Sequence, residues 1–278
     1  PTICRAHRTV QMGGAAGQER LSGVMTALTS PEHRLIEGAA DQPLLAQVER
    51  WAAINSGTRN LKGLAAVAGE LADAFSVLPG ELKLIDAPGV DTVGSDGTVT
   101  AIDHGQHLHL SVRPEAAVRI LLTGHMDTVF PVDHPFQTIA HRPDGTINGP
   151  GVADMKSGLA IMRAALIAIE ASPMASRIGY DVLINSDEET GSLSSAQLIE
   201  RLAGSKIAAL TYEPALPDGT LAGARGGTGN FSIVVRGRSA HAGRNPDDGR
   251  NAVVAAADIA IQLTRARSST LSVNPARI

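Results

Sequence analysis

Cysteine is almost absent from this sequence. Cys4 is the only one among 278 residues, so no disulfide can form within the chain and no zinc site can be built from several thiolates. Aromatic residues are also scarce, at 3%. The core therefore has to be built mainly from Ala, Val, Leu and Ile. The 43% hydrophobic content is sufficient for such a core and excludes wholesale disorder.

A basic surface and long hydrophobic runs are missing as well. The formal net charge is −4, whereas a nucleic-acid groove combines excess Lys and Arg with stacking aromatics. Arg163 interrupts the longest apolar helical stretch, and residues 1–30 lack the apolar block of a secretory signal. We expect no nucleic-acid partner, no membrane partner and a cytoplasmic location. Because the chain starts at Pro1, we expect an incomplete N-terminus, which leaves a periplasmic location open.

The pattern of apolar residues indicates an α/β fold. Residues 1–42, rich in Gly, Ser and Thr, predict a loose lead-in. Helices are then predicted at 44–54, 61–78, 154–171 and 193–202. Strands are predicted at 81–85, 98–103, 107–112, 118–122, 180–185 and 207–212. Strands that alternate with helices are typical of a sheet covered by helices.

A second, smaller unit is predicted after the glycine-rich hinge at residues 223–229. Residues 230–236 alternate like a half-exposed strand, and residues 251–265 predict a helix that starts at Asn251. Residues 270–273 predict the beginning of another strand. We therefore divide the chain into three parts, residues 1–42, 43–224 and 225–278.

Four polar clusters follow predicted strands or introduce a predicted helix. They lie at residues 124–128 (GHMDT), 149–158 (GPGVADMKSG), 186–191 (SDEETG) and 212–214 (YEP). Taken singly, each has an ordinary structural explanation, such as a polar loop, a helix cap or acids that complement a helix dipole. Ligands in open α/β sheets gather beyond the carboxyl ends of strands, however. The clusters are therefore candidates for one shared pocket.

Together, the clusters predict a site for two metal ions. Neighbouring strands would bring together one histidine and five carboxylates, namely His125, Asp127, Asp154, Glu188, Glu189 and Glu213. So many carboxylates would repel one another, and two divalent cations would relieve the repulsion. Imidazole and carboxylate ligands without thiolate suit zinc, with cobalt or manganese as possible substitutes. A two-metal site needs a bridging carboxylate, and Asp154 beside the Gly-Pro-Gly turn is the natural candidate.

With a fifth motif at residues 237–243 (GRSAHAG), these clusters resemble the M20 family of zinc metallopeptidases. The family includes glutamate carboxypeptidase, aminoacylase, acetylornithine deacetylase and succinyl-diaminopimelate desuccinylase. The resemblance covers residues 124–251 and keeps the family order of motifs. It implies a zinc-exopeptidase-like central mixed sheet flanked by helices in a catalytic domain, residues 43–224. Residues 225–278 would form a smaller α+β lid, incomplete here, through which the chain would form a homodimer if the lid is complete.

The resemblance also implies the metal ligands. His125 and Glu213 would bind the first zinc, Glu189 would bind the second, and Asp154 would bridge both. Asp127 would orient the His125 ring and raise its basicity. The peptide bond that follows Asp154 is expected to be cis, as in relatives.

Two further residues receive catalytic roles from the resemblance. Glu188 would be the general base, which takes a proton from water and passes it to the leaving amine. His241 would reach into the partner's active site and stabilise the oxyanion of the tetrahedral intermediate, although a polar hairpin residue is an alternative interpretation. Arg225 and Arg238 are candidates for holding a substrate carboxylate, with a structural role for Arg225 equally open.

The sequence departs from the family pattern at its C-terminal end. M20 enzymes normally continue, complete the lid and return to the catalytic sheet with a histidine that binds the second metal. No histidine follows His241 in this chain. We expect a fragment of a longer enzyme, and the alternative is a chain that binds metal poorly and turns over little.

The expected function is hydrolysis of an amide bond next to a free carboxylate, with release of a C-terminal amino acid from a peptide. The continuation at residues 129–131 (VFP) resembles the glutamate-carboxypeptidase-like branch. Deacylation of an N-acyl amino acid by the same chemistry is an alternative. A non-catalytic, metal-stabilised dimerisation module is an alternative of another class, against which Glu188 argues because a structural zinc site needs no base.

Overall fold

The computed structural model describes residues 28–94, 96–221 and 227–276. Within them lie six α-helices: α1 (Ser30–Ala40), α2 (Leu44–Ala52), α3 (Leu61–Phe75), α4 (Ser157–Glu170), α5 (Ala196–Ala203) and α6 (Ala252–Arg265). The same residues contain nine strands: β1 (Glu81–Ile85), β2 (Val90–Val93), β3 (Val99–Ile102), β4 (His107–Val112), β5 (Val118–His125), β6 (Ala140–His141), β7 (Ile147–Asn148), β8 (Ile178–Asn185) and β9 (Ala208–Thr211).

A mixed five-stranded sheet forms the centre of the larger part of the fold. Its strand order is β1-β4-β8-β5-β9. The β1–β4 and β4–β8 pairs are antiparallel, whereas β5 runs parallel to both β8 and β9. The remaining strands form two small sheets, β2 with β3 and β6 with β7. The predicted α/β fold with a central mixed sheet is confirmed.

Helices cover both faces of this sheet, as the alternation of side chains along a strand requires. Tyr180, Val182 and Ile184 of β8 face the main core, where α2, α3 and α4 pack. Leu183 faces the opposite side, where it packs with Leu198 of α5. The central strand is therefore apolar on both faces, which accounts for its continuous hydrophobic run.

The start of α4 is shaped by an irregular turn. Gly151 adopts a left-handed backbone conformation, with φ of 70°. The wide helical turn Val152–Lys156 follows, and within it Asp154 and Met155 depart from helical dihedral angles. The Asp154–Met155 peptide bond is cis, which confirms the expectation. Regular α-helix begins only at Ser157, so Asp154 lies in the turn that introduces the helix.

The described residues form two compact units. The larger contains the described residues up to Val90 and those within 102–227, and the smaller contains the described residues within 91–101 and 228–278. The structure thus groups Asp91–Ala101 with the C-terminal residues, whereas the sequence predicted contiguous parts. None of the helices in the described ranges is long and apolar enough to cross a membrane.

Some predicted elements differ from the structure. Helix α1 occupies residues 30–40 of the predicted loose lead-in, while residues 1–27 lie outside the described residues. The strands predicted at 230–236 and 270–273 are wrong, since neither segment is a strand among the residues described. Alternation can propose a strand, but a neighbouring strand must complete its hydrogen bonds. Helix α6 does begin after Asn251, whose side chain accepts hydrogen bonds from the N–H groups of Val253 and Val254.

Candidate metal centre

Three neighbouring parallel strands bring the polar clusters together at the carboxyl ends of the strands. His125 ends β5 and lies opposite Asn185, the last residue of β8. Glu213 follows the end of β9, the other neighbour of β5. The turn that contains Glu188 and Glu189 follows β8. The predicted adjacency of these strands is therefore confirmed.

His125 is the buried centre of the cluster. Its side chain is 1% exposed. The ring Nε2 lies 3.0 Å from Oδ1 of Asp154 and 3.7 Å from Oε1 of Glu213. On the other side of the ring, Nδ1 lies 3.0 Å from the main-chain oxygen of Asp127 and 3.3 Å from its Oδ1. The Asp127 contacts orient the ring so that Nε2 points to the carboxylates of Asp154 and Glu213.

Asp127 also holds the turn that contains Glu188 and Glu189, here called the acidic turn. Its Oδ1 accepts a hydrogen bond from the Glu188 main-chain N–H, and its Oδ2 accepts one from the Glu189 N–H, both at 3.2 Å. The Thr58 hydroxyl donates a third hydrogen bond, 2.7 Å long, to Oδ2. One buried carboxylate therefore connects the end of β5, the turn after β8 and the loop before α3.

Among the residues that the structure describes, two groups of three side chains could hold a metal ion. The first consists of His125, Glu188 and Glu213, and the second of His125, Asp154 and Glu189. Within each group, the possible ligand atoms lie within 4.8 Å of one another. Imidazole nitrogen with carboxylate oxygen is a donor set that divalent zinc, cobalt or manganese accepts. The residues therefore fit a divalent metal centre. The first group contains Glu188, the expected base, and lacks Asp154, the expected bridging ligand.

The electrostatics of the cluster indicate a demand for positive charge. Burial raises the pKa of Glu188, Glu189 and Glu213, and the nearby Asp154 charge adds to this effect. For Glu189 the pKa rises to about 7. Burial disfavours the protonated His125 ring, but its hydrogen bonds with Asp127 and Asp154 outweigh that cost and raise its pKa to about 11. A divalent cation held by these side chains would supply positive charge to the carboxylates.

Sequence reasoning missed three residues around the site. Thr58 supports Asp127, as described above, and Asp187 is fully buried under the acidic turn. Lys156 is 1% exposed, and its ammonium donates a hydrogen bond to the Ile54 main-chain oxygen. Burial lowers the pKa of Lys156 to about 8, although the Asp127 charge opposes the shift. Lys156 and Asp187 lie inside the recognised motifs, whereas no local pattern marks Thr58.

The remaining predicted residues lie outside this cluster. His241 belongs to the smaller unit, where it is exposed and its Nδ1 accepts a hydrogen bond from the Gly243 N–H. Arg238 pairs through its main chain with Arg250 in the same unit. Arg225 and most of the predicted hinge lie outside the described residues.

Two solved structures with a similar fold are named as dipeptidases. Human carnosine dipeptidase 1 aligns with a TM-score of 0.52 and 15% identity, over 66% of this chain and 40% of that one. The dipeptidase Dug1p from Saccharomyces cerevisiae aligns with a TM-score of 0.50 and 14% identity, over 64% of this chain and 40% of that one. At these identities the likeness concerns the fold alone.

Sequence comparison identifies the family. Carboxypeptidase G2 from Pseudomonas sp. (strain RS-16) is 29% identical over 242 residues, which are 85% of this chain and 55% of that protein. The chain thus spans about half the length of this relative. The model of peptidase family M20/M25/M40 matches residues 121–275, more than half of the chain and the segment that contains all the metal-ligand candidates. The chain belongs to peptidase family M20/M25/M40.

Proposed function

We propose that this protein is a metal-dependent hydrolase that cleaves an amide bond next to a free carboxylate. The observation that carries the proposal is the convergence of His125 with four carboxylates at one sheet edge, in two groups of ligand size. Asp154, Glu189 and Glu213 would hold the metal together with His125. Zinc is the proposed metal because its preferred ligands include both nitrogen and carboxylate oxygen.

The chain's own residues divide the catalytic work. Divalent ions, once bound, polarise the scissile carbonyl and lower the pKa of a water molecule. Glu188 takes the proton of the attacking water and delivers it to the leaving amine. Burial raises the pKa of Glu188 above its ordinary value, the direction that makes the carboxylate a stronger base. Asp127 fixes the position of the His125 ring relative to the main chain of Glu188.

The proposed substrate is a peptide from which a C-terminal amino acid is released. Carboxypeptidase G2, the 29% identical relative, is a carboxypeptidase by name, and this supports the choice. Deacylation of an N-acyl amino acid remains the alternative, since it uses the same amide chemistry. Homodimerisation through the smaller unit and the oxyanion role of His241 remain proposals that rest on the family resemblance. The cytoplasmic location remains a prediction.

Metal content of the purified chain is the first test. We expect about one tightly held zinc per chain by elemental analysis after dialysis, because both described ligand groups depend on the same histidine, His125. Two tightly held ions would indicate that another group completes the second site. A folded chain without metal after dialysis against dilute zinc would contradict the proposal.

A charge-neutral substitution then tests the chemistry. Glu188→Gln keeps the shape of the side chain, so we expect retained zinc and a loss of about 10²–10⁴-fold in hydrolysis of a peptide that ends in glutamate. Glu115→Gln is the control, since Glu115 is exposed and belongs to neither group of candidate metal ligands. Hydrolysis of an N-acetyl amino acid, measured in parallel, distinguishes peptidase from deacylase activity. Zinc binding without cleavage of either substrate would favour the non-catalytic module.

A further inference from the structure

The acidic turn rests on a buried hydrogen-bond network behind the metal ligands. Asp187, directly before Glu188, is 0% exposed. Its carboxylate Oδ2 accepts hydrogen bonds from the main-chain N–H and the hydroxyl of Ser194, at 2.7 and 2.8 Å, and from the Ser195 N–H at 3.3 Å. Its Oδ1 accepts from the Ser195 hydroxyl at 2.7 Å and from the Asn185 amide at 3.2 Å. Five donors thus surround one carboxylate.

The same residue closes the turn through its main chain. The Asp187 carbonyl oxygen accepts hydrogen bonds from the N–H groups of Thr190 and Ser192, at 3.3 and 2.9 Å. Chain 187–195 therefore wraps around Asp187, with Glu188 and Glu189 in its first turn. Buried carboxylates saturated by donors make strong, direction-specific hydrogen bonds. These hydrogen bonds consequently fix the position of Asp187 relative to Ser194 and Ser195.

His107 of β4 extends this network to the next strand. The Ser186 N–H lies 3.3 Å from Nδ1 of His107, so Nδ1 accepts and the neutral ring carries its proton on Nε2. Nε2 lies 3.3 Å from the Ser194 hydroxyl oxygen, which in turn donates to Asp187. Burial lowers the pKa of His107, in agreement with a neutral ring. His107 thus donates a hydrogen bond to the Ser194 hydroxyl, and that hydroxyl donates one to the Asp187 carboxylate.

The turn is therefore held from two sides. Asp127 accepts the N–H groups of Glu188 and Glu189 from the β5 side, and Asp187 binds the returning chain at Ser194 and Ser195. Neither carboxylate is a ligand in the two groups that could hold a metal. Adjacent glutamates can serve as ligand and base only if their main chain is rigid, because a rotation of the turn would exchange their directions.

We propose that Asp187, held by Ser194, Ser195 and His107, is a positioning residue that sets the directions of Glu188 and Glu189. The role rests on the proposed function, since it concerns how a metal ligand and a base are kept apart. Asp187 is fully buried and belongs to neither group of candidate metal ligands. Loss of the hydrogen bonds to Asp187 loosens the acidic turn and therefore lowers metal affinity and turnover. All the proposed metal ligands are still present.

Removal of single hydroxyl groups tests this role with little risk to folding. Ser194→Ala and Ser195→Ala each delete one donor to Asp187, and the double variant deletes both. Ser76→Ala is the control, since Ser76 is exposed and its hydroxyl bonds only to the Asp73 carbonyl oxygen among the described contacts. The full chain is used throughout, first without metal and then with cobalt(II), whose visible absorption reports ligand geometry.

Amide hydrogen exchange of the metal-free chain is the first readout. We expect at least about tenfold faster exchange in the peptide that covers residues 188–192 in the double variant, with helix α3 unchanged. The cobalt spectrum should shift, and cobalt affinity should fall by about 10–100-fold, the usual effect of disturbing groups behind metal ligands. The Ser76→Ala control should match the wild type in both measurements.

The two proposals fail in different ways. Unchanged exchange at residues 188–192 in the double variant overturns the positioning role, while cobalt binding by the wild type would still support the proposed function. Faster exchange with an unchanged cobalt spectrum also overturns it, because the turn would then be loosened without consequence for the ligands. A wild-type chain that binds neither cobalt nor zinc overturns the proposed function and, with it, the role assigned to Asp187.

Discussion

The carboxylate of Asp127 accepts the main-chain N–H of Glu188 at 3.2 Å, although 61 positions separate the two residues in sequence. The same carboxylate lies against His125 Nδ1. A proposed metal ligand and the proposed base are thus aligned by one buried group that belongs to neither group of candidate metal ligands. Changes at Asp127 or at its supports should therefore disturb metal affinity and catalysis together.

Thr58 provides the mildest way to disturb Asp127. Its hydroxyl donates to Oδ2 at 2.7 Å, and Thr58→Val removes that donor with little change in volume. We expect a loss of about 1–3 kcal/mol in the free energy of unfolding and weaker zinc binding, because a buried acceptor loses a partner. Thr58→Ser retains the hydroxyl and should keep wild-type zinc affinity by calorimetric titration. Equal zinc affinity in the Val and Ser variants would contradict this view of Asp127.

Gly158, near the start of α4, packs directly against the chain that precedes Glu213. A methyl group there would overlap the main-chain oxygen of Tyr212, so Gly158→Ala has to push the two segments apart. We expect a loss of about 1–3 kcal/mol in unfolding free energy, typical of overpacking, together with weaker metal binding through displaced Glu213.

Gly69 of α3 is the matched control for Gly158. A methyl group at Gly69 would meet nothing within 4 Å, and Gly69→Ala should stabilise the chain by about 0.5–1 kcal/mol through helix propensity. Urea denaturation of both variants gives the comparison. If the Gly158→Ala variant has the stability and the zinc content of the wild type, the contact of Gly158 with Tyr212 does not position Glu213.

Asp181 of β8 forms a buried ion pair with Lys206, 2.8 Å long, and its Oδ1 accepts a hydrogen bond from His109. Burial opposes ionisation, but the bonds from His109 and Lys206 lower the Asp181 pKa from 3.8 to about 2. Because the folded-state pKa is depressed, its contribution to stability is present above pH 4 and is lost as the pH falls towards about 2.

Substitution of Asp181 should expose that contribution. Asp181→Asn leaves the buried Lys206 ammonium without its counter-charge, and we expect a loss of about 3–5 kcal/mol at neutral pH. The difference from the wild type, measured by urea denaturation, should shrink between about pH 4 and pH 2. The exposed Lys83–Glu81 pair is the control, and Lys83→Ala should have no measurable effect. A difference that does not vary with pH would exclude this ionisation as its cause.

Zinc should stabilise the folded chain, since it neutralises carboxylates that repel one another. At a free concentration of about 100 times Kd, a ligand that binds only the folded state adds about 2.7 kcal/mol. His125→Ala should abolish most of the resulting rise in Tm, because His125 belongs to both ligand groups. His241→Ala should keep the rise, because His241 is in neither group. An equal rise in both variants would place the metal elsewhere.

The local patterns predicted most elements of the central sheet. Residues 81–85 and 107–112 match β1 and β4 because their apolar pattern and flanking turn residues are local signals. The short β6–β7 hairpin was not predicted, since two-residue strands have no detectable period. Strands at 230–236 and 270–273 were predicted wrongly, because alternation says nothing about whether a partner strand is present.

The sequence alone determined the kind of chemistry. One histidine and five carboxylates, in four clusters without thiolate ligands, indicated a divalent metal, and with the fifth motif they indicated the family. Tertiary structure decided how these groups are held. The parallel register of β5 and β8 sets His125 opposite Asn185, and contacts across 69 and 61 positions tie Asp127 to Thr58 and Glu188. Such contacts depend on strand pairing and burial over long separations, which no local spacing encodes.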